Sequence, residues 1–346
     1  MRAPHEGAAC VPSDPGGALG AGAASVNAAV PSPDPGAAAT SASATHQHLL
    51  NVVLAEVGPD GAGGALRLLD AGCGDGLLLA FLARSLAHHR PRLAVHLHGF
   101  DVHDHGVQPR DYFRRTLERL QTQVPGPPWA QRLALISDRE AWPWPAGSFD
   151  MVVSNQVLEH VRDHHHFMTQ LCRVLRPGGV SVHVFPSRHC WIEPHLHMPF
   201  AHRIGSPLAS ARYIEWASRL GFGRHDPALE TRRDYAHRHA DYLARNVNYK
   251  TVQALQALAQ ACGLEADFGH TAGLFTTKLR MLLGRPPGAA HVSLRGSTTS
   301  LPRATLPFRW LSSVTLLLRR PDTAGDHPEP VAAPQACGHR AEAHRP

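Results

Sequence analysis

The amino-acid sequence predicts an α/β protein with a doubly wound, seven-stranded, mostly parallel sheet and a partly helical insertion after the fifth strand. Short apolar runs of strand length alternate with helical patterns, as is typical of parallel sheets. The first run, residues 66–69, ends in Asp70, passes three glycines and becomes an apolar helical pattern over Leu77–His89. This strand, tight turn and helix form the opening unit of a nucleotide-binding sheet.

The other elements follow from periodicity and from turn residues. Behind a Ser/Thr cap candidate, residues 45–57 place apolar side chains at helical spacing, and residues 93–100 alternate like a strand. Prolines, which cannot continue a helix, end several of these patterns. Further helices are predicted over 111–124, 208–220, 248–262 and 272–283. Further strands are predicted over 132–136, 264–270 and 312–319. Between these, the fourth strand starts at Phe149 and the fifth ends at residue 184.

The glycine spacing limits which ligand the first turn can hold. A dinucleotide fingerprint would need its third glycine at position 77, which is Leu77, and a phosphate-binding P-loop would need a lysine that is absent here. Both phosphate-binding interpretations are weakened. Glycines at such a turn allow close approach of the backbone to a ligand, although a turn that only packs strand against helix has the same pattern.

Acidic residues follow the next two strands. Asp101 ends the second strand, where its two oxygens could accept hydrogen bonds from both hydroxyls of a ribose, and a solvated loop acid is the alternative. Asp138 follows the third strand. The sequence G-S-F-D then starts the fourth strand, L-E-H-V follows it, and L-R-P-G-G precedes the fifth.

In this order, the landmarks between residues 66 and 186 resemble the Rossmann-like core of the class I S-adenosylmethionine-dependent methyltransferases. The resemblance implies S-adenosyl-L-methionine as cofactor. It implies that Asp138, with Arg139 beside it, meets the adenine, and that Asn155 and Gln156 lie near the methyl donor. The implied cofactor-binding residues are Asp70, Gly72, Gly74, Gly76, Asp101, Val102, Asp138, Arg139, Asn155 and Gln156.

Methyl transfer from a sulfonium is an in-line displacement, so it needs a base only if the nucleophile must lose a proton. His160 is the candidate general base, with packing in a helix as the competing role. Glu159, Glu193 and His195 are further catalytic candidates. Some quinone-pathway O-methyltransferases resembling this core bind a metal through such a Glu-His pair. With Gln156 in place of a further acid and 26 histidines in the chain, no metal site is predicted.

These features predict methyl transfer to an oxygen or nitrogen of a small-molecule, lipid-linked or glycan-related acceptor. Nucleobase methylation is disfavoured, because the fourth strand leads into S-N-Q-V rather than Asn/Asp-Pro-Pro-aromatic, and no Pro-Cys occurs. An aminopropyltransferase and a non-catalytic binding or scaffold protein remain alternatives on the same fold.

Composition divides the chain into five parts. Residues 1–42 and 320–346 are predicted to be disordered tails, because they are rich in small residues or in polar residues and proline. Residues 43–186 form the cofactor-binding core, residues 187–248 an insertion that caps the substrate side, and residues 249–319 complete the sheet.

Charge and cysteine content bound the partners and the compartment. The formal net charge is +6, but the arginines are scattered and only two lysines occur, so nucleic acid is an unlikely partner. Six cysteines form no C-x-x-C pair, and no apolar run is long enough to span a bilayer. The sequence therefore predicts a cytoplasmic protein, and its oligomeric state is left open.

Overall fold

The structure is a computed structural model that describes residues 43–58, 64–103, 111–285, 310 and 313–322. The predicted tail 1–42 and all but three residues of the predicted tail 320–346 lie outside the described residues.

Within the described residues the protein contains the expected seven-stranded sheet. Its strands are β1 (Ala65–Ala71), β2 (Ala94–Val102), β3 (Leu133–Ile136), β4 (Phe149–Asn155), β5 (Leu175–Phe185), β8 (Glu265–Asp267) and β9 (Val314–Arg319). They lie in the order β3-β2-β1-β4-β5-β9-β8. Strand β9 runs antiparallel to both of its neighbours, and the other pairings are parallel. The α/β fold class is confirmed.

Helices cover both faces of this sheet because successive strand side chains point to opposite faces. On β1, Leu66 and Leu68 join one buried apolar cluster, and Leu69 and Ala71 join the other. The first cluster also contains side chains of α1 (Ala44–Val57), α2 (Leu77–His89) and α9 (Thr271–Leu282), and the second contains side chains of α5 (His164–Val174) and α8 (Val252–Ala261). Helices α3 (Tyr112–Gln123) and α4 (Trp129–Arg132) lie between β2 and β3 in the chain.

The insertion has an apolar cluster of its own. The elements of the insertion are the short hairpin of β6 (Ile192–Glu193) and β7 (Met198–Pro199), a 3₁₀ turn at Ala201–Arg203, and helices α6 (Pro207–Arg219) and α7 (Arg232–Asn246). Side chains of α6, α7 and the hairpin form this cluster, which includes Ile214, Met198 and Tyr235.

Helix α7 is an element that the sequence analysis misses, since it predicts no helix between residues 220 and 248. Most of its side chains are polar, and only a narrow stripe that includes Tyr235, Ala236 and Ala240 is buried. Thr231 caps the helix by accepting a hydrogen bond from the Asp234 N–H. Packing against α6 therefore stabilises a helix whose apolar periodicity is too weak to predict it.

Three boundaries also differ from expectation. The L-E-H sequence is a 3₁₀ turn (Leu158–His160) rather than the start of a helix, because α5 begins only after its cap Asp163. Strand β5 begins at Leu175, so the Pro-Gly-Gly segment lies within its bounds. Helix α8 starts at Val252, since the Thr251 side chain caps it.

No helix among the described residues is long and apolar enough to cross a membrane.

We predict that Gly99→Ala destabilises the protein, because β2 crosses the sheet where there is no room for a side chain. A Cβ at Gly99 would lie 2.9 Å from Leu79 Cδ1 and 3.0 Å from Cys73 Cβ. Overpacking of this kind typically costs about 1–3 kcal/mol. Urea unfolding measures the change. The matched control is Gly205→Ala, where a Cβ meets no atom within 4 Å; equal effects of the two substitutions would contradict the prediction.

Candidate functional site

The glycine turn after β1 is held by the backbone of β2. The N–H groups of Gly72 and Cys73 both donate to the Phe100 carbonyl at 2.9 Å. Gly72, Gly74 and Gly76 all have positive φ, which favours glycine. A Cβ at Gly72 would lie 2.5 Å from a Val157 methyl group, whereas a Cβ at Gly74 would meet no atom within 4 Å. Gly72 is thus required for packing, and Gly74 leaves open space beside the turn.

Asp101 connects this turn to the end of β2. Its Oδ2 accepts a hydrogen bond from the Gly74 N–H at 2.9 Å, and its Oδ1 accepts one from the Val102 N–H at 2.8 Å. Asp101 also lines the cavity beside the turn. The carboxylate therefore shapes the turn and also faces the space beside it.

A cavity of about 280 Å³ opens at the carboxyl ends of β1, β2 and β4. Of the residues predicted from the sequence, eight line it: Gly72, Gly74, Asp101, Val102, Asp138, Asn155, Gln156 and His160. The other six, Asp70, Gly76, Arg139, Glu159, Glu193 and His195, lie outside its lining. Gly76 instead starts α2, and Arg139 is exposed.

Asp70 is buried beneath the glycine turn, with a side chain that is only 1% exposed. Neither of its carboxyl oxygens has a hydrogen-bond partner among the described residues. Burial, together with the charges of Asp101 and Asp75, raises the pKa of Asp70 to about 8. A buried carboxyl group without a partner is suited to a cationic ligand.

The end of β4 is strained where it borders the cavity. Gln156 has a φ of 58°, a left-handed conformation that non-glycine residues adopt rarely. Its N–H donates to the Val184 carbonyl at 2.7 Å, which holds the conformation. Next to it, the buried Oδ1 atom of Asn155 has no hydrogen-bond partner among the described residues. Strained backbone and unsatisfied polar atoms are features that cluster at functional sites.

Aromatic and basic side chains that the sequence analysis does not single out complete the cavity. Arg162, which also lines the cavity, donates to the Asp138 carboxylate at 3.1 Å. The remaining lining residues are Phe100, Ile136, Ser137, Trp142, Val157, Val161, Asp163, His166 and Phe167, of which only some are aromatic or basic. Two sequence features could have indicated these lining residues. The Trp-Pro-Trp-Pro turn and the cap residue Asp163 each fix the direction of the chain near β4.

Beside the cavity, the insertion contributes a buried carboxylate and an imidazole. Glu193 is fully buried and accepts hydrogen bonds from His195 Nδ1 at 2.6 Å, the Tyr249 hydroxyl at 2.7 Å and the Leu196 N–H at 2.6 Å. Burial alone would raise the pKa of Glu193, but these hydrogen bonds outweigh it and the pKa is lowered. Burial and the adjacent Glu193 raise the pKa of Tyr249.

His195 extends from this carboxylate to His160, with 3.2 Å between the two Nε2 atoms. His160 Nδ1 donates to the Asn246 carbonyl at 2.8 Å. To act as a general base, His160 would have to exchange its contact with His195 for one with the acceptor. Glu159 is buried next to it, and burial raises its pKa to about 8. Glu159, His160 and His195 present ligand atoms within 4.8 Å of one another.

A short segment at the C-terminal end of α7 is hydrogen-bonded to the 3₁₀ turn. Asn248 donates from its backbone to the Glu159 carbonyl at 2.6 Å and from its side chain to the Val161 and Arg162 carbonyls. With the Asn246 carbonyl on His160, these bonds hold the turn against the insertion. We refer to residues 246–249 as the clasp segment.

The sheet and its helices form the Rossmann-like fold of methyltransferases. A model of the methyltransferase-domain family matches residues 36–267. The chain belongs to this family, within the class I S-adenosylmethionine-dependent methyltransferases.

Curated relatives match over the core only. An uncharacterized methyltransferase of Mycobacterium tuberculosis is 33% identical over 112 residues, which is 32% of this chain and 46% of the relative. A ubiquinone biosynthesis O-methyltransferase of Maricaulis maris is 27% identical over 128 residues, which is 34% of this chain and 39% of the relative. The matches span less than half the length of these relatives.

Among solved structures, an S-adenosylmethionine-dependent methyltransferase from Mesorhizobium loti is similar with a TM-score of 0.45 and 18% identity. That match covers 81% of this chain and 99% of the other.

We predict that Asp70→Asn changes how stability depends on pH. Because the folded-state pKa of Asp70 is raised to about 8, from an ordinary value near 3.8, the folded protein binds this proton more tightly than the unfolded chain. Asp70 therefore makes the folded state progressively less stable as pH rises from about 4 to 8. The asparagine variant would lack this contribution, which is at most about 1.4 kcal/mol per pH unit.

Urea unfolding at pH 5, 6.5 and 8 without added ligand measures this effect. The variant should gain stability over the native protein as pH rises. Glu118→Gln, which alters an exposed carboxylate on α3, is the control. A difference between Asp70→Asn and the native protein that is the same at all three pH values would contradict the prediction.

Proposed function

We propose that the protein binds S-adenosyl-L-methionine in the cavity at the ends of β1, β2 and β4 and transfers its methyl group to a small-molecule, lipid-linked or glycan-related acceptor. The observation that carries the proposal is the convergence of the glycine turn, Asp101 and Asp138 on one cavity at the point where strand order reverses. Ligands of doubly wound sheets bind at this point.

The residues present fit such a cofactor. The ribose hydroxyls are suited to Asp101, whose oxygens face the cavity edge, and the adenine amino group is suited to Asp138. The orphaned carboxyl of Asp70 and the orphaned amide oxygen of Asn155 favour the cationic, amino-bearing end of the molecule. When bound, S-adenosylmethionine supplies an electrophilic methyl group on a sulfonium.

The acceptor side of the cavity favours an oxygen or nitrogen nucleophile. In the displacement, the acceptor forms a bond to the methyl carbon, the electron pair of the broken carbon–sulfur bond returns to sulfur, and the acceptor loses a proton. His160 borders the cavity, and Glu159 and His195 lie behind it, so proton-accepting groups are concentrated on this side. The insertion contacts the cavity residue His160 through His195, which supports a role in acceptor selection.

We predict that Asp101→Asn weakens binding of S-adenosylmethionine by about 10- to 100-fold, because it replaces a carboxylate that accepts charge-assisted hydrogen bonds with a neutral amide. Calorimetry on the purified full chain, with S-adenosylmethionine and S-adenosylhomocysteine, measures the affinity. Asp75→Asn alters the neighbouring carboxylate of the same turn and should leave affinity within a few-fold. An absence of binding heat with the native protein would overturn the proposal.

The products identify the reaction class. We expect incubation with a methyl-labelled donor and a cell extract to produce S-adenosylhomocysteine and label in the small-molecule or lipid fraction. An aminopropyltransferase would instead need decarboxylated S-adenosylmethionine and would release methylthioadenosine. A scaffold protein would release neither product. Label confined to the nucleic-acid fraction would contradict the proposed acceptor class.

A further inference from the structure

The cluster beside the cavity contains a carboxylate whose environment the fold does not explain. Glu159 is 1% exposed, and its carboxylate oxygens have no hydrogen-bond partner outside their own residue among the described residues. The nearby carboxylate of Glu193 accepts hydrogen bonds from three donors, so the two buried acids differ in how their oxygens are hydrogen-bonded. Burying a carboxylate without a partner is costly unless a cation or proton neutralises it.

The two imidazoles of the cluster point lone pairs at the same region. A carbonyl oxygen only accepts, so His160 Nδ1 carries the proton that it donates to Asn246. His195 Nδ1 likewise donates to the Glu193 carboxylate. In their neutral forms, both rings therefore turn an unprotonated Nε2 toward the other at 3.2 Å. Two facing acceptors require a positive group between or beside them.

The geometry matches two ligands of one metal ion. Nitrogens bound at about 2.1 Å to a common ion lie about 3.0–3.4 Å apart for ligand angles between 90° and the tetrahedral value. The observed separation of 3.2 Å falls in this range. Glu159, His160 and His195 each offer one ligand atom, and these three atoms lie within 4.8 Å of one another.

We propose that Glu159, His160 and His195 bind one divalent first-row transition-metal ion, of the zinc or manganese type. Two imidazoles and one carboxylate favour such an ion over magnesium or calcium, which prefer oxygen ligands only. Three protein ligands leave further coordination positions open. The site differs from a Glu-His pair on the core alone, because its second imidazole belongs to the insertion.

The surrounding residues provide the support that metal-ligating histidines need. Such a histidine usually donates its second ring N–H to a carboxylate or a backbone carbonyl, which fixes the ring orientation. Glu193 provides the carboxylate for His195, and Asn246 provides the carbonyl for His160. Tyr249 orients Glu193 in turn. The clasp segment and the insertion thus act as positioning elements for both ligands.

A role for the ion in catalysis rests on the proposed function, whereas binding of the ion does not. His160 lines the cavity, so an ion on its Nε2 side would border the acceptor. A hydroxyl bound to such an ion loses its proton more readily, which would make an oxygen acceptor the better substrate class.

The test measures metal binding by the full chain without S-adenosylmethionine. After treatment with a chelator and desalting, the protein is titrated with Zn²⁺ by calorimetry and with Co²⁺ by visible absorption. One tight equivalent is expected, with millimolar Mg²⁺ unable to compete. Glu159→Gln and His195→Gln should each weaken this equivalent by about 100-fold or more, since each removes a ligand.

The control is His197→Asn, an exposed histidine two residues from His195 at a positive φ that asparagine tolerates. It separates the site from weak binding by the many other histidines. Thermal unfolding checks each variant, and if one ligand variant fails to fold, the other decides. Unchanged tight binding in a folded ligand variant, no tight equivalent in the native protein, or displacement by Mg²⁺ would overturn the proposal. Calorimetry with S-adenosylmethionine reports separately on the proposed function.

Discussion

The order reversal between β1 and its two neighbours is the constraint on which the site depends. Because β2 and β4 both run parallel to β1 but their connections leave toward opposite faces, the chain opens a crevice at the carboxyl edge. The glycine turn fills one side of this crevice, and the strained Gln156 lies on the other. Strand ends therefore place the glycine turn, Asp101, Asp138, Asn155 and Gln156 around the cavity.

A second level of organisation comes from buried charge. Among the described residues, two carboxyl groups are buried without hydrogen-bond partners, Asp70 below the glycine turn and Glu159 within the 3₁₀ turn. Both have raised pKa values because burial disfavours their charged forms. Ordinary structural carboxylates are satisfied, as Glu193 is by its three donors. The contrast supports the two proposals above, in which cationic ligands meet the two unsatisfied groups.

Local signals were sufficient for most of the fold, and tertiary signals were needed for the rest. The bounds of α2 and the succession of most strands along the chain follow from apolar periodicity and glycine placement, which are properties of short windows. Helix α7 escaped prediction because packing, rather than periodicity, stabilises it. His160 and His195 were each candidates by residue type, but their meeting depends on the clasp segment and on the path of the insertion. No pattern of neighbouring residues encodes that encounter. The left-handed Gln156 was equally unpredictable, since glutamine gives no local signal for positive φ.

The edge of the sheet has a consequence for how the chain is assembled. Strand β8 lies outside β9, yet it comes earlier in the chain, and β9 is its only strand partner in the described sheet. During synthesis β8 cannot join the sheet until residues 314–319 have left the ribosome and paired with β5. The five strands from β3 to β5 have all their mutual partners long before that point. Co-translational folding is therefore expected in two stages. The five strands from β3 to β5 pair first, and β8 joins the sheet only after β9 has paired with β5.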